Sequence, residues 1–112
     1  MKPVTKENLL EAIQKVEKQG KLTHYEYEDA TGCRCVIGHL MTEEELVKIK
    51  ETGFNDASIG ALLLESDFIN VSKKDSLILA KLQNLNDNLN LPLEDFVELA
   101  RNRVEACYET SN

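Results

Sequence analysis

Residues 32–40, Gly32-Cys33-Arg34-Cys35-Val36-Ile37-Gly38-His39-Leu40, hold two of the three cysteines, one of the two histidines and two of the five glycines. Residues of these types can bind a metal, form a disulfide or act as a nucleophile with its base. Cys33, Cys35, His39 and the nearby His24 are zinc ligands in type and number. Their spacing argues against it. On a strand, residues two apart have Cα atoms about 6.5–7 Å apart, whereas structural zinc takes cysteine pairs from a knuckle with two or more intervening residues. The same strand geometry and a reducing compartment argue against a Cys33–Cys35 disulfide. Catalysis would pair Cys33 or Cys35 with His39, oriented by Asn86 or Asp87, yet nothing in the sequence brings these groups together. Cys35 is read instead as a small apolar residue packed beside Ile37. The expectation is no catalytic residue, no metal and no cofactor.

Gly38 carries a different signal, since a glycine between a strand and a capped helix marks a close approach of the backbone. His39 beside it is expected to be buried and neutral, donating to Asp87 and so tying a later helix to this segment. That later stretch, Leu79-Ala80-Lys81-Leu82-Gln83-Asn84-Leu85-Asn86-Asp87-Asn88-Leu89-Asn90, is amide-rich. Gln83 and Asp87 are four apart and share one helix face, and an amide both donates to and accepts from a neutral polar ligand. Tyr25 and Tyr27 are available to stack on a base, and Arg34 is the cation inside the cluster. The candidate ligand-binding set is therefore Tyr25, Tyr27, Arg34, His39, Gln83 and Asp87.

Several helices and one change of period must position these residues. Thr5 caps a first helix with Leu9, Leu10, Ile13 and Val16 on one side, and Gly20 ends it. Thr23, Tyr25 and Tyr27 then alternate with His24, Glu26 and Glu28, which is strand spacing. Asp29-Ala30-Thr31-Gly32 supplies turn chemistry, so residues 22–28 and 33–37 are predicted to form a hairpin. Thr42 and Glu45 fit a capping box for a helix that stops near Gly53. Asn55 or Asp56 is expected to cap the next, carrying Ile59, Leu62 and Leu63. Ser72 opens a longer one bearing Ile78, Leu82, Leu85 and Leu89. Pro92 separates it from a last apolar stripe through Leu93, Phe96, Val97, Ala100, Val104 and Cys107. The predicted class is α+β, mostly helical, with about five helices and one β-hairpin near residues 22–37, in a single domain over 1–112.

The composition narrows the partners. A 112-residue chain with 42% hydrophobic residues can bury one core, carried by Leu, Ile and Val because aromatics are only 5%. The formal charge of -7 disfavours duplex nucleic acid, which selects clustered Lys and Arg. No apolar run approaches the roughly 20 residues of a membrane span. The first ten residues lack a signal peptide's apolar stretch, and the odd cysteine count fits a reducing compartment. A cytoplasmic location is expected, in a host cytoplasm if the chain is phage-encoded.

Cys35-Val36-Ile37-Gly38-His39-Leu40, followed by Leu82-Gln83-Asn84-Leu85-Asn86-Asp87, resembles the CxxGxL…LQxxHD pattern of small proteins from bacteria, phages and prophages. The pattern covers about a sixth of the chain and falls on Cys35, Gly38, Leu40, Leu82, Gln83 and Asp87. Asn86 departs from it, standing where the pattern often has histidine. The resemblance implies a compact, mostly helical domain from a mobile element, and by analogy a non-enzymatic antagonist of host defence. The leading expectation is a homo-oligomer that sequesters a small nucleotide-type signal. The alternative is an acidic protein that occludes a basic host factor through Glu43, Glu44, Glu45, Glu51, Asp56, Glu65 and Asp67; a second is a cysteine-dependent enzyme. Against the first, phosphates seek Arg, Lys or helix N-termini, and Arg34, with Lys73 and Lys74 at a helix start, is what the sequence offers.

Overall fold

Six helices form among the described residues: α1 Lys6–Gln19, α2 Val36–Leu40, α3 Glu43–Thr52, α4 Ile59–Glu65, α5 Lys73–Asn86 and α6 Leu93–Glu109. The structure, a computed structural model, describes residues 1–109. Thr5 and Ser72 cap α1 and α5 through their hydroxyls, and Thr42 with Glu45 closes the capping box of α3. Gly20 and Gly53 end α1 and α3 in the left-handed conformation, at φ 84° and 82°. Two boundaries differ from expectation. Ser58, rather than Asn55 or Asp56, caps α4. α5 ends at Asn86, so Leu89 lies beyond it and is exposed.

The long helices α1 and α6 pack together, α5 packs on α6, and α4 on α5. Short α2 wedges between α1 and α5. Leu9, Ile13 and Val16 meet Phe96, Ala100 and Val104 in one core with Ile37, Leu40, Leu79 and Leu82. No helix among the described residues is long and apolar enough to cross a membrane.

The α+β expectation is overturned: the fold is all-helical, and no hairpin forms over residues 22–37. Its turn is present, since the Asp29 carboxylate accepts from the backbone N–H groups of Thr31 and Cys33, with Gly32 at φ 86°. Burial alone would raise the Asp29 carboxyl, but the Lys21 ammonium and these hydrogen bonds hold it well below the usual carboxylate range. Pairing stops at a single antiparallel bridge, Glu28 to Arg34. On one side, residues 23–27 hand their backbone groups to helix-borne and loop partners instead of a second strand. On the other, Val36 and Ile37 enter α2, because the Cys35 thiol accepts the Gly38 N–H as an N-cap. Cysteine is outside the usual cap set of Ser, Thr, Asp and Asn, so the start of α2 carried no ordinary cap signal.

The close approach expected at Gly38 is present. A Cβ there would lie 2.0 Å from the Tyr27 carbonyl oxygen, a backbone atom that cannot step aside alone. Gly38→Ala should therefore prise the loop from α2 and cost about 1–3 kcal/mol in urea unfolding. Gly60→Ala in α4, where nothing lies within 4 Å, should be neutral or stabilising by up to about 1 kcal/mol. Equal midpoints for the two variants would refute this role of Gly38.

Candidate functional site

Tyr27 is the hub of the region. Its ring is buried, its hydroxyl donates to the Ala57 carbonyl (2.8 Å), and the Gln83 amide donates to that hydroxyl (3.2 Å). Its backbone N–H reaches the Asn55 carbonyl (3.0 Å), and its own carbonyl accepts from the Cys35 N–H (3.3 Å). Burial pushes the phenol well above its ordinary range, outweighing the Gln83 hydrogen bond. Gln83 also accepts the Ile59 N–H at the start of α4 (2.9 Å). One amide thus ties α4, α5 and the loop together.

Asp87, the C-terminal cap of α5, accepts the backbone N–H of Tyr25 at 2.8 Å. Asn86 is buried and donates to the Thr23 carbonyl (2.6 Å) and to Asp87 (3.0 Å). Between these anchors Tyr25 adopts φ 63°, a conformation that costs an aromatic residue energy and persists only where its surroundings enforce it. The strand alternation fails at this residue. Thr23 and Tyr27 point inward, while Tyr25 is 55% exposed.

Beside Tyr25 and Tyr27 lies a cavity of about 190 Å³, between the loop, residues 55–58 and the C-terminal end of α5. Tyr27, Cys35 and Gln83 contribute to its wall, with the carboxylate residues Glu26, Asp56 and Asp87. None of these three acids forms an ion pair among the described residues, and no Lys or Arg lines the cavity. Lys73 and Lys74 open α5 at its other end, ~15 Å along the axis from Gln83 at ~1.5 Å per residue.

Four of the six predicted ligand residues, Tyr25, Tyr27, Gln83 and Asp87, therefore come together; Arg34 and His39 do not. Arg34 pairs with Glu28 (2.8 Å) and with Glu43, and Glu28 also takes Lys50. His39 reaches Gln19 on α1 (2.9 Å), not Asp87, whose expected partner is replaced by the Tyr25 N–H. Gln19 also donates to the Arg34 carbonyl and accepts its N–H, so the oxygen facing His39 is an acceptor and Nε2 carries the proton. Burial, then the charges of Arg34 and Lys15, push His39 down to about 4, against the opposing pull of Glu28.

The structure brings in residues that the sequence reading assigned elsewhere. Glu26 stood in the predicted strand, and Asn55 or Asp56 was the expected cap of the next helix, with Asp56 also among the acids of the alternative reading. The polar turn after the Gly53 stop was the signal available for Asn55. Cys35 is buried and its thiol is pushed up to about 11 by desolvation, against the hydrogen bond from Gly38. All three cysteines are free. Among the described residues no three His, Cys, Asp or Glu side chains are placed to hold a metal. No family model matches this chain, and no curated protein or solved structure matches it.

Two measurements follow from this chemistry. Because folding depresses the His39 pKa from 6.5 to about 4, the unfolded chain binds the proton first as pH falls. Stability from this group is then full above the unfolded value and is lost between about pH 6.5 and 4. His39→Gln should flatten the pH dependence of urea midpoints in that window, and an unchanged slope would contradict a neutral buried imidazole. In the native protein at pH 7, Cys35 should resist iodoacetamide on the timescale that labels Cys33 and Cys107. Rapid labelling of Cys35 in the peptide map would reverse that conclusion.

Proposed function

We propose that the protein is a cytoplasmic, non-enzymatic binding module of the phage type, which occludes a basic protein by seating a cationic side chain in the Tyr25–Asp87 cavity. The single observation that carries this reading is the cavity wall. It combines the exposed Tyr25 with three carboxylates that lack ion-pair partners, and it contains no basic residue. A guanidinium or ammonium group would gain from both, through the ring face and through charge-assisted hydrogen bonds. A volume of about 190 Å³ suits one side chain, since pockets for drug-sized molecules span about 300–1,000 Å³.

The expectation of a sequestered nucleotide signal is less well supported, because its phosphates would face Glu26, Asp56 and Asp87 while Arg34 is occupied by Glu28 and Glu43. A cysteine-dependent enzyme is disfavoured by a buried thiol that serves as a helix cap, and by an imidazole engaged with Gln19. The binding reading keeps the four residues that converge and leaves Arg34 and His39 as structural. Asp87 then has two roles, as an acceptor for the Tyr25 backbone and as part of the acidic wall.

Calorimetry against an arginine-rich peptide, the same peptide with citrulline for arginine, and a panel of cyclic nucleotides tests the proposal. The arginine peptide should bind, more weakly as salt rises, and the citrulline peptide should not. Glu26→Gln combined with Asp56→Asn should reduce affinity about tenfold, in the range of losing one anchoring contact. Heat from a cyclic nucleotide with none from the arginine peptide would overturn this reading in favour of signal sequestration.

A further inference from the structure

We infer that the outer face of α3 is a second docking surface, which takes a basic amphipathic helix of a partner protein. It is separate from the cavity above and rests on different residues. The helix pairs that pack together in the core leave out α3, which contributes Leu46 and Ile49 to the core. On its outward side Glu44, Val47, Lys48 and Glu51 fall three, four and seven residues apart, so they form one stripe. Val47 is 52% exposed at the middle of that stripe.

Val47 and the stems of Glu43, Glu44, Lys48 and Glu51 wall a shallow depression of about 370 Å³, whose surface is almost entirely carbon. From Glu44 to Glu51 it runs ~10 Å along the axis, about two helical turns. An apolar strip of that length along one helix, edged by charge, fits a second helix laid against it that presents apolar anchors three and four residues apart.

The charge of the partner is set by which groups on α3 are already engaged. Lys50 is paired with Glu28, and the Lys48 ammonium lies over the Phe68 ring, 5.5 Å from its centroid. Glu43 is held by Arg34, and Glu45 by the Met1 ammonium. Glu44 and Glu51 are in no ion pair among the described residues, and they stand on either side of Val47. The charge left free at the two ends of the strip is therefore negative, and since the ring contact leaves the Lys48 ammonium charged, Glu44 and Glu51 outweigh it by one unit. Lys or Arg flanking an apolar residue complements it in both charge and spacing.

A synthetic helical peptide of roughly fifteen residues, with leucines three and four apart and lysines on both flanks, is a suitable probe for amide chemical-shift titration. Shifts should concentrate at Glu44, Val47 and Glu51. Val47→Ser, a change at an exposed position, should weaken binding about tenfold. Glu44→Gln with Glu51→Gln should remove most of its salt dependence. Glu26→Gln with Asp56→Asn should leave this binding unchanged, so the two surfaces fail or succeed separately. No binding, shifts confined to the Tyr25–Asp87 cavity, or indifference to Val47→Ser would each overturn the inference. Self-association abolished by Val47→Ser would also overturn it, because the occupant would then be a second copy of the chain.

Discussion

The fold depends on burying Tyr27 in a stretch of chain that has no regular structure. A buried backbone segment must satisfy its donors and acceptors somewhere, and residues 23–27 have no neighbouring strand. Their partners come from helices and loops already fixed by the core: the Asn55 carbonyl, the Cys35 N–H, and the side chains of Asn86 and Asp87. The phenol is anchored in the same way by Ala57 and Gln83. Gly38 is the steric counterpart of this arrangement, since the Tyr27 carbonyl occupies the space of its missing side chain.

The residues that draw attention as chemistry are mostly the residues that hold this loop. Cys35 caps α2, Gly38 admits the loop, Gln83 joins three elements, and Asp87 fixes Tyr25. Asn86 uses its amide to hold the Thr23 carbonyl, a donation that does not call for an imidazole. The spacing of these residues in the sequence therefore reflects one packing problem. The proposed binding surface depends on the same clamp, which turns the Tyr25 side chain outward beside carboxylates.

Internal ion pairing decides the character of the surface. Arg34 and Lys50 converge on Glu28, Lys21 on Asp29, and the Met1 ammonium on Glu45. Their carboxylates are largely buried, with Glu28 and Glu45 at 13% exposure, and the pairs determine which charges remain free to meet a partner. Cations near the loop are engaged, whereas Glu26, Asp56, Glu44 and Glu51 are left over.

Local signals in the sequence were sufficient wherever the partner lies within one helical turn. The caps at Thr5, Thr42 and Ser72, the stops at Gly20 and Gly53, and the stripes of α1, α5 and α6 all join residues three or four apart. The shared face of Gln83 and Asp87 and the turn at Asp29 were legible for the same reason, and a glycine's missing side chain marked the close approach at Gly38 without naming its partner, Tyr27, eleven residues away. The hairpin, the partner of His39 and the composition of the cavity were not. A strand exists only if a second strand accepts its hydrogen bonds. Here the Tyr25 N–H finds its acceptor 62 residues away on α5, and the Tyr27 hydroxyl finds its own 30 residues away. The sequence by itself determined the five longer helices, the caps and stops of α1 and α3, and the excess of acid. Tertiary structure alone decided that residues 22–37 become a clamped loop and a short helix, because the groups that compete for their backbone meet only after the helices have packed.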